Sequence, residues 1–295
     1  MNAFVLSGGG NLGSIQVGML KALFEAGITP DVLVGTSIGS VNAAYLAADP
    51  TPDRVEDLCE LWRGVRSRDA FSWNPFRMAH AALRRGSLFP SESWRRYLTR
   101  HIALERIEDS AVPLRIMVTD FEDGSPVVLD SGPVIDAVMA STCLPGIFPP
   151  QRVGDHLYLD GILAEQVPLK PAIDAGADTV YVLATSHASP SPDVRSPGQI
   201  LRHALTILLF PRLRLDALSL PDRPNLKIVQ IPSGGAQVAL WDMSRHDEMI
   251  ESGYQETKEF LAERGRGDGD GDETDVTAVP EMTVEVDVRD AGQLA

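Results

Sequence analysis

The pentapeptide Gly35-Thr36-Ser37-Ile38-Gly39 has the residue types and spacing of a reactive turn. An apolar run, Asp31 to Val34, precedes it and reads as a buried strand; Ile38 to Ala48 follows with helical patterning. A serine on so tight a strand-to-helix turn has its hydroxyl lifted clear of the sheet, and glycines must flank it because side chains would collide there. The free N–H groups at the start of the following helix favour negative charge developing beside that hydroxyl. The chemistry expected of Ser37 is therefore nucleophilic attack on an acyl carbon, with Gly35 and Gly39 supporting the turn.

Two further segments belong with it. Gly8-Gly9-Gly10 follows the first apolar run, Ala3 to Leu6, so in a parallel sheet it emerges at the same edge as Ser37. Backbone N–H groups bared by glycine suit an oxyanion, and each such donor contributes about 2.7–4 kcal/mol to the transition state. Asp160, in Tyr158-Leu159-Asp160-Gly161, ends another short apolar run, and a carboxylate beside a serine hydroxyl can take its proton. Gly161 then allows close backbone approach, although Asp-Gly alone commonly marks nothing more than a turn.

Two rivals share these residues. Gly8 to Gly13 also fits G-x-G-x-x-G, the dinucleotide fingerprint, but that site needs an acid about 20 residues on, at the end of the second strand. Here that strand runs into Gly35-Thr36-Ser37, and Asp31 lies at its beginning. The other rival is a Ser-acid-His triad in that chain order. His187, His203 and His246 all follow Asp160 and leave it open, while the early serine and the glycine loop one helix before it favour a two-residue arrangement.

The elements that must position these groups alternate. After Ala3 to Leu6 comes a helix over Ser14 to Ala26, stopped at Gly27; then the second strand and the helix from Ile38. Helices are predicted over Asp53 to Val65, Pro90 to His101, Val134 to Ser141, Ser196 to Leu220 (bent at Pro211) and Ser244 to Arg264. Strands are predicted within Leu114 to Leu129, on either side of Glu122-Asp123-Gly124, and at Leu157 to Leu159, Thr179 to Ala184 and Leu226 to Ile231. The fold class is α/β: a mostly parallel sheet with helices on both faces, in one domain over residues 1–264. Residues 265–295 read as a disordered acidic tail, whose Asp268, Asp270 and Asp272 resemble a calcium loop but lack its required Gly and Glu. The stretch Ala70 to Phe76, with Phe71, Trp73 and Phe76, reads as a loop whose aromatics either pack back, form a lid or touch lipid.

A net charge of -15 over 295 residues argues against nucleic acid as a partner and weakens tight docking on an anionic bilayer, though not transient membrane contact. Cys59 and Cys143 stand far apart with no metal-ligand spacing around them. The N-terminus does not read as a signal peptide, and the sequence has no run of about 18 apolar residues, so a cytoplasmic location is expected.

Four blocks together resemble the patatin-like phospholipase family: Leu6 to Leu20, Gly35 to Ala44, Ala140 to Pro150, and Tyr158 to Ile162 with Val167 to Leu169 and Ala175 to Asp178. The resemblance covers residues 4 to 184 and implies a three-layer α/β/α hydrolase of lipid acyl esters. It implies a Ser37–Asp160 dyad without a histidine, an oxyanion hole at Gly8, Gly9 and Gly10, and neither cofactor nor metal. Two departures stand out. Leu12 occupies a position where the family usually has Arg or Lys, which leaves open a weakened member acting as a lipid-binding or scaffold protein. Ile162 stands where a small residue is usual, which would narrow the site.

Overall fold

In the computed structural model, residues 1–185, 226–233 and 242–267 are described. Among these, eight strands form one sheet: β1 (Asn2–Leu6), β2 (Val32–Thr36), β3 (Leu114–Asp120), β4 (Pro126–Leu129), β5 (Gln151–Val153), β6 (His156–Asp160), β7 (Thr179–Leu183) and β8 (Lys227–Gln230). The order is β5-β6-β3-β2-β1-β7-β8, with β4 also paired to β3. β3, β2, β1, β7 and β8 are mutually parallel, and β4, β5 and β6 join antiparallel at one side. The central strands are continuous apolar runs because both faces are covered, and β2 is buried throughout.

The alternation along each strand divides the core in two. Phe4, Leu6 and Leu33 face one layer with α1 (Gly13–Glu25), α2 (Ile38–Ala47) and α7 (Val134–Ser141). Ala3, Val5, Val32 and Val34 face the other, with α8 (Leu169–Asp174). Each fully buried Leu, Ile or Phe contributes about 1.5–3 kcal/mol, so both faces stabilise the sheet.

The pattern of α1 predicts an amphipathic helix, yet Gly13 through Leu20 are all buried. α3 (Pro52–Gly64) and the long α9 (His246–Gly267) pack over its outer side. Gly18 and Gly253 make the α9 crossing possible: a Cβ on Gly18 would overlap the Ile250 carbonyl, and one on Gly253 the Ile15 carbonyl.

The region after α3 differs from expectation. Two helices, α4 (Ser67–Ala70) and α5 (Pro75–Arg85), precede α6 (Glu92–His101) where a loop is predicted. Asn74 Oδ1 caps α5 by accepting from the Phe76 and Arg77 amides at 3.1 and 3.2 Å, and Gly86 ends it at φ 64°. β5, where the sequence predicts no strand, forms a hairpin with β6. The last helix continues three residues past Arg264. The predicted Ser196–Leu220 helix, His187, His203 and residues 268–295 of the acidic segment lie outside the described residues.

Candidate active site

Strand register brings the three predicted segments to one edge. Leu6 pairs with Gly35, Thr36 with Met117, and Val118 with Asp160, so the glycine loop, the serine turn and the aspartate leave the sheet side by side. β6 runs antiparallel to β3, which carries Asp160 back toward the turn.

Ser37 has φ 53° and ψ -126° and is the non-glycine residue with positive φ among the described residues. Such a conformation costs about 1–3 kcal/mol and persists only where the surroundings enforce it. A Cβ on Gly35 would lie 2.5 Å from the Ser40 Cα, and one on Gly39 would overlap the Leu6 carbonyl oxygen. Ser141 Oγ accepts from the Ser37 amide at 2.8 Å and donates to the Met117 carbonyl at 2.7 Å, and Ser40 Oγ donates to the Ser37 carbonyl at 2.6 Å.

The Ser37 hydroxyl donates to Asp160 Oδ2 at 2.8 Å. Asp160 is 1 % exposed and Ser37 8 %. Burial pushes the Asp160 carboxyl up to about 7, opposed by hydrogen bonds from the Ile162 amide (3.0 Å, to Oδ1) and from the Ser37 hydroxyl. The Asp160 backbone is fixed as well: its carbonyl accepts from Thr119 Oγ1 at 2.8 Å, and its amide donates to the Cys143 carbonyl at 3.3 Å. Gly161 is required because a Cβ there would overlap the Met117 carbonyl. A carboxyl poised near neutrality beside a serine hydroxyl can accept and return a proton at ordinary pH.

Gly8 lies against Ser37. A Cβ on it would come within 3.2 Å of the Ser37 Cβ and 3.0 Å of Ile162 Cδ1, so Ile162 does narrow this corner. The Gly8 amide donates to the Gln166 carbonyl over a long 3.4 Å, whereas no protein acceptor is recorded for the Gly9 and Gly10 amides among the described residues. Gly9 is needed because Thr185 Oγ1 occupies the space of a Cβ, and Gly13 because Ile38 and Trp62 crowd it. Of the glycines that fit a dinucleotide fingerprint, Gly8 and Gly13 thus serve close packing, and Gly10 takes a positive φ of 60°. Leu12 is wholly buried in the main core.

Beneath the glycine loop runs a chain of buried amides that the motifs do not disclose. Gln16 Nε2 donates to the carbonyls of Ser7 (2.8 Å) and Leu183 (3.0 Å). Asn42 Nδ2 donates to Gln16 Oε1 (2.9 Å), and Trp62 Nε1 to Asn42 Oδ1 (2.8 Å). No motif marks Ser141 or Thr119 either; Ser141 lies inside the Ala140–Pro150 block, but its spacing from Ser37 gives no hint of contact. His246 is buried against Trp62, its Nδ1 2.7 Å from the Trp62 carbonyl oxygen and its ring edge-on to the Trp62 indole. Among the described residues no group of His, Cys, Asp and Glu has metal-binding geometry, and no helix is long and apolar enough to cross a membrane.

The chain is similar to several known proteins. Patatin-like phospholipase domain-containing protein 6 of Mus musculus is 31 % identical over 229 residues, which is 76 % of this chain and 16 % of the mouse protein. Patatin-like phospholipase domain-containing protein ZK370.4 of Caenorhabditis elegans is 33 % identical over 60 % of this chain and 13 % of its own length. The chain thus spans a small part of these curated relatives. Among solved structures, VipD from Legionella pneumophila aligns with a TM-score of 0.48 at 14 % identity, over 89 % of this chain and 67 % of that one. The sequence model of the patatin-like phospholipase family matches residues 4–173, more than half of the chain, and the chain belongs to that family.

Proposed function

We propose that this protein is a serine acyl hydrolase cleaving lipid or other carboxylic esters through Ser37 and Asp160. The observation that carries the reading is the 2.8 Å hydrogen bond from Ser37 Oγ to a buried carboxylate, on a strained strand-to-helix turn. Ser37 Oγ attacks the ester carbonyl carbon while its proton passes to Asp160 Oδ2. The tetrahedral oxyanion is held by backbone amides of the Gly8–Gly10 loop. The amides of Gly9 and Gly10, for which the described residues offer no acceptor, serve as donors, and Gly8 joins by giving up its long bond to Gln166. Collapse of the intermediate breaks the ester C–O bond, and Asp160 returns the proton to the departing alcohol. A water then attacks the acyl-enzyme, giving its proton to Asp160, and Ser37 leaves reprotonated with release of the carboxylic acid.

Histidine takes no part in this scheme: the Ser37 hydroxyl donates to Asp160, and His246 is bonded to the Trp62 carbonyl instead. A weakened, lipid-binding member of the family is the second reading, motivated by Leu12. Hydrolysis of p-nitrophenyl butyrate and palmitate, with fatty-acid release from phospholipid vesicles, separates the two. Turnover lost in folded Ser37→Ala supports the hydrolase, and absence of turnover in the wild type on every ester supports the binding protein.

A further inference from the structure

The segment Trp73–Leu88 concentrates exposed apolar side chains: Trp73 is 53 % exposed, Phe76 85 %, Leu83 85 % and Leu88 51 %. Within α5, Phe76, Ala79 and Leu83 recur at i, i+3 and i+7, and so share one face. That face is the outward one, because Ala81 is buried and Met78 half-buried on the opposite side. A helix normally turns its apolar stripe inward; here a second stripe is left toward solvent. Arg77, His80 and Arg84, all exposed, lie along its flank at i+1, i+4 and i+8 from Phe76.

The charge is equally local. Between Asp69 and Glu92 the sequence contains Arg77, Arg84, Arg85 and His80 and no acidic residue, in a chain of net charge -15, and the acid bordering the patch is Glu92, which lines a hollow with Phe76, Arg77 and His80. Eight of those fifteen negative charges belong to residues 268–295, whose sequence has nine acids and one basic residue, Arg289. The global charge that argues against an anionic partner therefore does not describe this surface. An exposed apolar stripe flanked by arginines matches the interface of an anionic lipid layer, where acyl chains take the apolar groups and headgroup phosphates the guanidiniums.

The patch is also tied to the dyad. Phe71 stacks on Phe148 (centroids 5.7 Å) and packs on Phe89 (5.1 Å), anchoring the segment from beneath. Leu88 and Phe89 donate their amides to the carbonyls of Gly146 and Ile147 at 2.7 and 3.0 Å. The same short stretch, through its Cys143 carbonyl, holds the amide of Asp160.

We propose that the outward face of α5, with Trp73 and Leu88, docks the protein on an anionic lipid surface. The proposal rests on the lipid-ester reading, and its test keeps the two apart by measuring binding without turnover. Full-length Ser37→Ala protein is sedimented with phosphatidylglycerol vesicles and with phosphatidylcholine vesicles, and Trp73 emission is followed against a Trp73→Phe control. The result expected is binding and a blue shift with phosphatidylglycerol, weaker binding with phosphatidylcholine, and loss of binding when salt is raised from about 0.1 to about 1 M. Phe76→Ser/Leu83→Ser should weaken vesicle binding at least ~10-fold, since two apolar side chains no longer enter the lipid. Arg77→Gln/Arg84→Gln should remove the preference for phosphatidylglycerol. In the Ser37-bearing protein, Phe76→Ser/Leu83→Ser should leave hydrolysis of a soluble butyrate ester intact. Binding that persists in the Phe76→Ser/Leu83→Ser variant overturns the proposal, as does no binding to either vesicle. So does a solution dimer that becomes monomeric in that variant, which would assign the face to a second copy of the chain. Vesicle binding without ester turnover would leave the docking face standing and sink the hydrolase reading instead.

Discussion

Ser37 Oγ lies 2.8 Å from Asp160 Oδ2, although 123 residues separate them, and both are nearly sealed from solvent. Two strands meet to make that contact. β2 delivers the serine on a turn that only glycine neighbours permit, and the antiparallel β6 returns the aspartate to the same edge. Asp160→Asn keeps the shape but cannot accept the serine proton. With Asp160 as base, kcat should fall by about 10^3 or more while KM changes little. Steady-state kinetics on p-nitrophenyl butyrate read this, and a fall confined to KM would contradict it.

Activity and stability should move in opposite directions with pH. The base form of Asp160 is needed for attack, so kcat/KM should rise with pH and level off above about 7. For stability, the folded carboxyl titrates near 7 against an ordinary value of 3.8. Stability associated with the protonated carboxyl is thus fully present below about pH 4 and is lost as pH rises through about 7. At roughly 1.4 kcal/mol per unit, the loss is about 4 kcal/mol. Urea denaturation at pH 5 and pH 8 spans about two of those units and should show a loss of roughly 3 kcal/mol in the wild type, and Asp160→Asn should flatten it.

Ser141 bridges the Ser37 amide and the Met117 carbonyl inside the core. Ser141→Ala removes the side-chain acceptor of the buried Ser37 amide and a donor to the Met117 carbonyl, which should cost about 1–3 kcal/mol of stability. Because the strained φ of Ser37 loses a restraint, kcat should fall as well. Chemical denaturation and ester kinetics together check this; an unchanged stability would mean that the bridge is dispensable.

Gly8 and Ile162 should be coupled. Gly8→Ala places a methyl 3.0 Å from Ile162 Cδ1 and 3.2 Å from the Ser37 Cβ, so turnover should drop. Ile162→Ala in the same protein makes room and should restore part of the rate, as a double-mutant cycle would register. Gly39→Ala, whose methyl would meet the Leu6 carbonyl, should have no such rescue.

Leu12 is wholly buried, so restoring the charge usual in the family would place a guanidinium in the core. Leu12→Arg should lower stability by about 3 kcal/mol or more, without a gain in rate. Thermal unfolding beside ester kinetics tests it, and a stable, faster enzyme would show that the loop can open to water.

The parts of the site that were legible in the sequence are those fixed by local geometry. Gly35, Gly39 and Gly161 are dictated by clashes at tight turns, and a short apolar run before each turn announces a strand. Ser141, Thr119 and the Gln16–Asn42–Trp62 chain were not legible, because their roles exist only once α7, β3 and α3 pack around the turn. α5 has its signals in the sequence, with Asn74-Pro75 as a helix start and Gly86 as a stop, but the clustered aromatics fit a loop equally well. The antiparallel hairpin that carries Asp160 was hidden because β5 is three residues long and largely polar.

The most direct test of the central claim is covalent labelling by a fluorophosphonate, followed by intact mass and peptide mapping. The expected result is one adduct per chain, on Ser37, absent from Ser37→Ala and forming at least ~100-fold more slowly in Asp160→Asn. Labelling of Ser37→Ala at the wild-type rate, or of Asp160→Asn without slowing, would contradict the account.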